Sequence, residues 1–321
     1  MKGWLIYSQK EVARNQAYIE FYIEEGKKRQ VEIELLLEEE ISFSVSAEGK
    51  KVLYCGLQVE APGFAICRTR NYLLSRELEL HGITVYNNSF ISMVANNKLL
   101  SCEYVAELGI PIMPTVAGAG MGTEKAVKYP CIMKSLSGCG GTEVFYVENE
   151  LQYKAAWARM EGRQFLLQEP ASDLGKDVRV YVIGNTIVKA MLRTSESDFR
   201  SNYCLGGKAE EYILSKRERE MVEKIIERFD FGFVGIDFIF HHGEMIFNEI
   251  EDVVGSRMLY DKTDVNPVAL YLEHILSEVA ERTGNQAGRT KNQAERTRNQ
   301  AERTGNPGRK NRNPDRVEKQ A

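Results

Sequence analysis

Residues 231–252, FGFVGIDFIFHHGEMIFNEIED, form two apolar runs around a His-His-Gly turn, and both runs contain carboxylates. Apolar runs of this kind are typical of paired strands that are buried on both faces. If the turn is centred on Gly243, antiparallel pairing places Asp237 opposite Glu249 and brings Glu251 to the same face. The sequence therefore predicts an apolar hairpin in which three carboxylates lie together.

These carboxylates are candidate metal ligands. Strand alternation also places Glu249 and Glu251 on the face of Phe247. Like charges this close are costly unless a cation offsets them, and a set of oxygen ligands suits Mg²⁺. The alternative is an acidic strand that faces solvent. The apolar residues on both faces of the hairpin disfavour it.

A glycine-rich turn follows a strand that ends in Lys134, with the sequence SGCGGT over 137–142. Glycines allow backbone N–H groups to wrap a phosphate, and a nearby lysine supplies charge. The turn is not a Walker A loop, because the lysine precedes the glycines and a strand follows them. A tight hairpin without a ligand is an equally good interpretation of this turn alone.

A second hairpin over 177–193 carries several charged side chains. Asp177, Arg179, Lys189 and Arg193 share one face if its loop has three residues. A two-residue loop moves Lys189 and Arg193 to the face opposite Arg179, and the sequence leaves both registers open. Cations on such strands can clamp a phosphate or a carboxylate, and a solvated outer face is the alternative.

The order of elements predicts an α/β protein. Short strands and helices alternate through the first 95 residues, which favours a parallel sheet of Rossmann type. Later residues form strand-rich segments separated by helices. We predict four parts: 1–95, 96–167, 168–281 and a tail over 282–321.

Composition excludes several classes of protein. A hydrophobic fraction of 43% excludes a wholly disordered or fibrous chain, and six scattered cysteines without a C-x-x-C pair exclude a disulfide scaffold. No stretch approaches 18 apolar residues, and the first residues lack a signal-peptide core. These observations predict a cytoplasmic protein that does not enter a membrane.

The tail differs from the rest. From Glu281 it repeats ERTGNQA, GRTKNQA, ERTRNQA and ERTGNPG, and 282–321 holds 11 Lys and Arg against 4 Asp and Glu. One alanine per repeat cannot bury a coiled-coil seam, so the composition predicts disorder. The acidic body lacks a nucleic-acid footprint, whereas the basic tail leaves nucleic acid open as a partner.

Together, and in this order, these motifs resemble those of an ATP-grasp carboxylate–amine ligase, and in particular the RimK-like amino-acid or peptide ligases. The resemblance runs from about Arg68 to about Val254. Its motifs are Asn97-Lys98, the strand ending in Lys134 with SGCGGT, Leu167-Gln168-Glu169-Pro170, Gly175-Lys176-Asp177-Val178-Arg179, Phe199-Arg200-Ser201-Asn202 with Gly206-Gly207, and VGIDFIF with Asp237.

The resemblance implies a pre-ATP-grasp domain of Rossmann type, followed by an ATP-grasp fold of two α+β subdomains. Its cofactors would be ATP and two Mg²⁺ or Mn²⁺ ions, held by Asp237, Glu249 and Glu251. Arg193 and Arg200 would be catalytic. The implied nucleotide-binding residues are Lys98, Lys134, Gly138, Gly140, Gly141, Gln168, Glu169, Pro170, Asp177, Arg179, Arg200, Ser201 and Asn202.

Two positions depart from the family pattern. The family's second metal strand usually reads Glu-x-Asn, whereas here it reads Glu249-Ile250-Glu251, which adds a negative charge. Pro170 has no backbone N–H for adenine, so Ala171 is the expected donor.

The implied reaction joins a carboxylate to an amine through an acylphosphate and releases ADP and phosphate. The substrate would be an amino acid, a peptide or a protein terminus, and a homo-oligomer is left open. The alternative is a non-catalytic nucleotide-binding or interaction protein that keeps the fold.

Overall fold

The computed structural model describes residues 1–138, 143–195 and 208–283. Internal contacts divide the chain into a first unit, Met1–Ile275, and a second that begins at Leu276. In the second unit, 276–283 are helical. The four-part division proposed from the sequence stays a prediction.

The N-terminal part of the first unit holds a parallel sheet of four strands in the order β2-β1-β6-β7. Its core includes Trp4 and Ile6 of β1, Ala65 of β6 and Leu78 of α2. The predicted parallel α/β arrangement is confirmed. The elements are β1 (Lys2–Tyr7), α1 (Gln9–Lys28), β2 (Glu32–Leu37), β3 (Ile41–Ser46), β4 (Gly49–Tyr54), β5 (Leu57–Gln58), β6 (Phe64–Cys67), α2 (Tyr72–Leu80), β7 (Val85–Tyr86) and α3 (Ser89–Ala95).

Apolar and charged residues alternate in the sequence after Val31, but residues 31–43 do not form one strand. A 3-10 turn at Glu38–Glu40 separates β2, which joins the parallel sheet, from β3, which joins a three-stranded antiparallel sheet in the order β3-β4-β5. Three consecutive glutamates interrupt the apolar alternation at this point. The chain therefore changes sheets where burial of its side chains ends.

The central part has an antiparallel sheet in the order β10-β9-β11-β8. Its core joins Cys131 and Met133 of β9 to Phe165 of β11 and to Tyr153 of α5. Asn97 caps α4, because its side chain accepts from the backbone N–H groups of Leu99 and Leu100. The elements are α4 (Lys98–Ala106), β8 (Thr115–Gly118), β9 (Cys131–Ser135), β10 (Val144–Val147), α5 (Glu150–Arg159) and β11 (Phe165–Gln168).

A five-stranded antiparallel sheet in the order β14-β13-β12-β15-β16 follows. One face is apolar and packs against α3, α4 and α6, with Val178, Val180 and Ile225 in a single buried cluster. The charged side chains lie on the other face. The elements are β12 (Asp173–Ile183), β13 (Thr186–Thr194), β14 (Lys208–Glu211), α6 (Lys216–Arg228), β15 (Phe233–His241), β16 (Glu244–Glu251) and α7 (Arg257–Lys262). The last residues of the first unit, 267–275, are helical.

The β15–β16 hairpin reaches the predicted register in an unpredicted way. His241 pairs with Glu244, so the turn has two residues, His242 and Gly243, both with positive φ. A β-bulge between Asp237 and Phe238 then leaves Asn248 as an extra residue. The bulge restores the pairing of Asp237 with Glu249.

The same bulge corrects the prediction for Phe247. This residue pairs with Phe238 and lies with it in the core, on the face opposite Asp237. The ring centroids of Phe238 and Phe247 are 6.1 Å apart. Simple alternation from Glu249 fails here because it does not allow for the extra residue.

The β12–β13 hairpin is built the same way. Ile183 pairs with Thr186 around a two-residue turn, and a bulge between Tyr181 and Val182 leaves Val188 as the extra residue. Asp177 consequently pairs with Arg193 on one face, and Tyr181 pairs with Lys189. Of the two registers left open, the structure has the one that puts the four charged residues on one face.

The first unit and the described start of the second include no helix that is both long and apolar enough to cross a membrane.

Candidate active site

Asp237 is the centre of the charged face of the five-stranded sheet, and only 2% of its surface is exposed. Arg179 donates twice to its carboxylate, with Nε 2.8 Å from Oδ1 and Nη2 2.7 Å from Oδ2. Arg193 Nη2 lies 2.8 Å from the same Oδ2. Burial alone would raise the pKa of Asp237, but the two guanidinium groups hold it well below its usual range.

The arginines continue this network on both sides. Arg193 Nε donates to Asp177 Oδ1 over 2.5 Å, and Arg179 Nη1 lies 2.5 Å from Glu251 Oε2. The contact with Glu251 is an ion pair in which the buried Oε2 receives no hydrogen bond. The contact is therefore one of charge, and no described N–H donor is directed at the lone pairs of this oxygen.

Lys98 brings Glu249, the last of the three predicted metal ligands, into the same site. Its Nζ lies 2.9 Å from Glu249 Oε2 and donates to the backbone oxygen of Gly138 over 2.6 Å. Burial would raise the pKa of Glu249, and the opposing charge of Lys98 lowers it overall. Lys98 thus joins the start of α4, the glycine-rich turn and β16 at one point.

Lys134 is held by two side-chain amides. Its Nζ lies 2.8 Å from Gln168 Oε1 and 2.9 Å from Asn248 Oδ1. Burial lowers the pKa of Lys134, so its positive charge is maintained at a cost. Of the residues that the structure describes, none gives it a carboxylate in an ion pair.

Sequence reasoning missed Asn248. The bulge turns its amide toward Lys134, a position that alternation does not predict. A signal was nevertheless present: a two-residue His-Gly turn would pair Asp237 with residue 248, whereas clustering of the carboxylates requires Glu249. That mismatch of one residue indicates a bulge.

The predicted adenine segment, residues 167–170, includes Gln168, which is the last residue of β11. The Gln168 side chain donates from Nε2 to Thr115 Oγ1 over 3.0 Å while its oxygen accepts from Lys134. The Glu169 N–H already donates to the Pro114 oxygen over 3.1 Å. Pro170 follows without a donor, so the assignment of adenine to Ala171 stays a prediction.

Several predicted residues lie outside the described residues: Gly140, Gly141, Arg200, Ser201 and Asn202. Gly138 is described. A Cβ there would meet Glu143 Oε2 at 2.8 Å and Ser135 Cβ at 3.2 Å. The close approach explains a glycine at this position without reference to a ligand.

The carboxylates fit a metal ion that arrives with a nucleotide. Within 1–138, 143–195 and 208–283, no three His, Cys, Asp or Glu side chains converge as a ready-made metal site would require. Mg²⁺ at nucleotide sites commonly uses one or two carboxylates together with phosphates and water. Glu251 Oε2, which accepts no hydrogen bond from the described residues, and Glu249 beside it are the candidate ligands of this kind.

Comparison with known proteins identifies the family and the fold of the chain. The model of the RimK-like ATP-grasp domain matches residues 95–275, more than half of the chain. The uncharacterized protein MG012 of Mycoplasma genitalium is 29% identical over 200 residues, or 56% of this chain and 69% of that protein. A probable alpha-L-glutamate ligase of Histophilus somni is 26% identical over 245 residues, or 73% of this chain and 81% of the relative.

Solved structures share the fold. The ATP-grasp ligase PsnB complexed with a minimal precursor has a TM-score of 0.66 at 18% identity, covering 86% of this chain and 98% of PsnB. A RimK domain protein from Sphaerobacter thermophilus has a TM-score of 0.65 at 18% identity, covering 86% of this chain and 100% of its own. The fold predicted from the motifs is confirmed, and so is the enzyme class. The chain therefore belongs to the RimK-like ATP-grasp family of ligases.

Proposed function

We propose that this protein is an ATP-dependent ligase that joins the carboxylate of an amino acid, peptide or protein terminus to an amine through an acylphosphate. The observation that carries the proposal is the charged sheet face. There Arg179 and Arg193 surround Asp237, and Lys98 pairs with Glu249. Cations and carboxylates interleaved in this way suit phosphates and the metal ion bound to them.

The chemistry explains why ATP is required. A carboxylate is a poor acyl donor because an oxide would have to leave. Its oxygen instead bonds to the γ-phosphorus while the bond from that phosphorus to ADP breaks. The amine nitrogen then bonds to the carbonyl carbon, phosphate leaves, and the nitrogen loses a proton. The products are an amide, ADP and phosphate.

The side chains of this protein have distinct tasks in the proposal. Lys98 and Lys134 bind phosphate oxygens and offset their charge. Arg193 stabilises the oxyanion that forms when the amine attacks, an effect worth about 3 kcal/mol in comparable sites. Arg200 is proposed for the same role from sequence alone. Asp177 orients Arg193 through their hydrogen bond.

Mg²⁺ held by Asp237, Glu249 and Glu251 would supply charge neutralisation between the phosphates. The solved neighbour PsnB supports this assignment, since one of its structures is described as a complex with Mg and ADP. The number of ions, a cytoplasmic location and a homo-oligomer remain predictions.

Glutamate is the first substrate to test, because a relative is named as a probable alpha-L-glutamate ligase. ADP release from Mg-ATP would be measured with L-glutamate, with pooled amino acids and with short peptides. We expect substrate-dependent ADP release that Asp237→Asn lowers by at least about 100-fold, since two arginines and the metal lose their shared partner. Amide formation would be followed by mass spectrometry.

Glu244→Gln is the matched control. Glu244 lies in the same hairpin, but it is exposed, and its carboxylate forms an ion pair with Arg217. Turnover that survives Asp237→Asn would contradict the proposal. ATP binding without ADP release from any pool would favour the non-catalytic alternative instead.

A further inference from the structure

Arg68 lies at an edge of the sheet where ligands commonly bind. It directly follows β6, and its N–H donates to Ile6 of the neighbouring strand β1 over 2.8 Å. Tyr7, the last residue of β1, is therefore beside it. In open α/β sheets the carboxyl ends of parallel strands are the usual binding edge.

The guanidinium of Arg68 is buried, and no described residue neutralises its charge. Its Nη2 donates to the Val254 oxygen over 2.9 Å, while the buried Nε makes no hydrogen bond. Throughout the described part of the chain, no carboxylate forms an ion pair with it. Such a buried cation is costly unless a negative charge binds to it.

Tyrosine side chains are the main groups around the Arg68 guanidinium. Its guanidinium carbon lies 5.2 Å from the ring centroid of Tyr18. The hydroxyls of Tyr7 and Tyr22 are buried, and neither has a hydrogen-bond partner of good geometry among the described residues. Asp252 lies close enough for the positive charge of Arg68 to act on its pKa. The Asp252 carboxylate accepts hydrogen bonds from the side chains of Asn87 and Asn96 instead.

The site is open on one side. Arg68 keeps 8% of its surface exposed. The Val254 carbonyl to which it donates is followed directly by Gly255. Gly255 is exposed, and a Cβ added there would meet no atom within 4 Å. Its carbonyl accepts from the Tyr181 hydroxyl over 2.9 Å, and Tyr181 lies on the sheet face of Arg179. The open space is thus linked to the candidate active site.

We propose that Arg68, with Tyr18, binds the α-carboxylate of an amino-acid substrate, the carboxylate that takes no part in the reaction. This inference rests on the proposed ligase function and assigns a substrate group to it. One guanidinium matches one carboxylate in charge and in its two-pronged geometry. Tyr18 already accepts a hydrogen bond from Ser256 Oγ at 3.0 Å, so its own hydroxyl proton is free to be donated.

The test compares each of the twenty L-amino acids with its α-carboxamide, which has the same side chain and no α-charge. ADP release from Mg-ATP gives kcat/KM. The change in Tm with a non-hydrolysable ATP analogue gives binding without turnover. The proteins are the full-length wild type, Arg68→Met, Arg68→Lys and the control Arg70→Met. Arg70 is exposed and only two residues away.

We expect the wild type and Arg70→Met to prefer the best amino acid over its amide on the order of 10²-fold or more. Arg68→Met should reduce this preference to within about threefold, and Arg68→Lys should retain part of it. Merely structural damage would weaken amino acid and amide alike and would leave the ratio unchanged, which would overturn the inference.

Failure of the inference is distinguishable from failure of the ligase function. If Asp237-dependent ADP release occurs but the preference survives Arg68→Met, the carboxylate binds elsewhere. If no substrate gives ADP release, the ligase function fails, and the Tm measurement still tests Arg68. A Tm shift that is equal for acid and amide in the wild type would also reject the site.

Discussion

At the scale of single residues, the most consequential arrangement is the pairing of Asp237 with two arginines. A buried carboxylate is tolerated because two cations offset its charge and give it three hydrogen bonds, two from Arg179 and one from Arg193. In the proposed function, nucleotide binding would exchange some of these partners for phosphate and metal. The same carboxylate and guanidinium groups thus stabilise the site and would bind its ligands.

Asp237→Asn should remove an acid-sensitive part of the folding free energy. Because the folded-state pKa is lowered, this contribution is present above the unfolded pKa of about 4 and is lost as pH falls below it. We expect the variant to be about 3–5 kcal/mol less stable near pH 7, since two buried arginines lose their partner. Urea denaturation at several pH values measures the difference, which should shrink toward pH 2.

Asn248→Ala tests how Lys134 is positioned. The lysine would keep only Gln168 as an acceptor, so the catalytic efficiency with ATP should fall on the order of tenfold. Asn248→Asp keeps an acceptor oxygen and should retain more activity than the alanine variant. Equal losses in the two variants would show that the amide does not hold Lys134.

At the scale of elements, the two hairpins share one construction: a two-residue turn and one bulged residue in the second strand. In each hairpin, the bulge gives the second strand one residue more than the first strand. Asp177 and Arg193 consequently meet on one face, as do Asp237 and Glu249. Register, and not only residue type, creates the site.

Two deletions in β13 separate register from composition. Without Val188, the pairing of β12 with β13 becomes regular and every other pair is kept. We therefore expect the free energy of unfolding to fall by less than about 2 kcal/mol. Without Ala190, the pairing again becomes regular, but Lys189 then lies opposite Val180 on the core face. Because this lysine would be buried and unpaired, the free energy of unfolding should fall by several kcal/mol more. Urea denaturation of both variants compares them, and equal costs would contradict this account of the register.

At the scale of the whole first unit, a buried polar junction joins the parallel sheet to the five-stranded sheet. Asn87, just after β7, accepts from the N–H groups of Gly232 and Phe233 at 2.7 and 2.9 Å. Its own amide donates to Asp252 Oδ1 over 2.7 Å, just beyond β16. The strand that carries Glu249 and Glu251 is thereby fixed at its end.

This junction predicts a pH dependence of stability opposite in sign to that of Asp237. Burial raises the pKa of Asp252, partly offset by hydrogen bonds from Asn87, Ser92 and Asn96. The folded state then binds more protons, so stability falls as pH rises from about 4 through the raised pKa. Asp252→Asn should remove this slope, and thermal unfolding from pH 4 to 8 would detect it. An unchanged slope would contradict the assignment.

The sequence was a better guide to the types of element, and to the types of residue in the candidate site, than to the contacts that these residues make. Alternation and the carboxylate pairing were enough to predict Asp237 opposite Glu249, although the turn that produces this register has two residues. Phe247 was assigned to the wrong face because a bulge leaves no periodic signal. The pairing of Arg179 with Asp237 joins residues 58 positions apart, and only the neighbouring strands of the folded sheet bring them together.

The extra residues at Val188 and Asn248 also bear on how this family can vary. A strand with one unpaired residue can lose a residue at the bulge, or gain one in the turn, without shifting the pairs beyond it. In an alignment of relatives, single-residue gaps should therefore collect at Val188 and in the two turns, whereas Asn248, which holds Lys134, should be kept. The bulges would let the lengths of the two hairpins drift while the distances between charged groups are preserved.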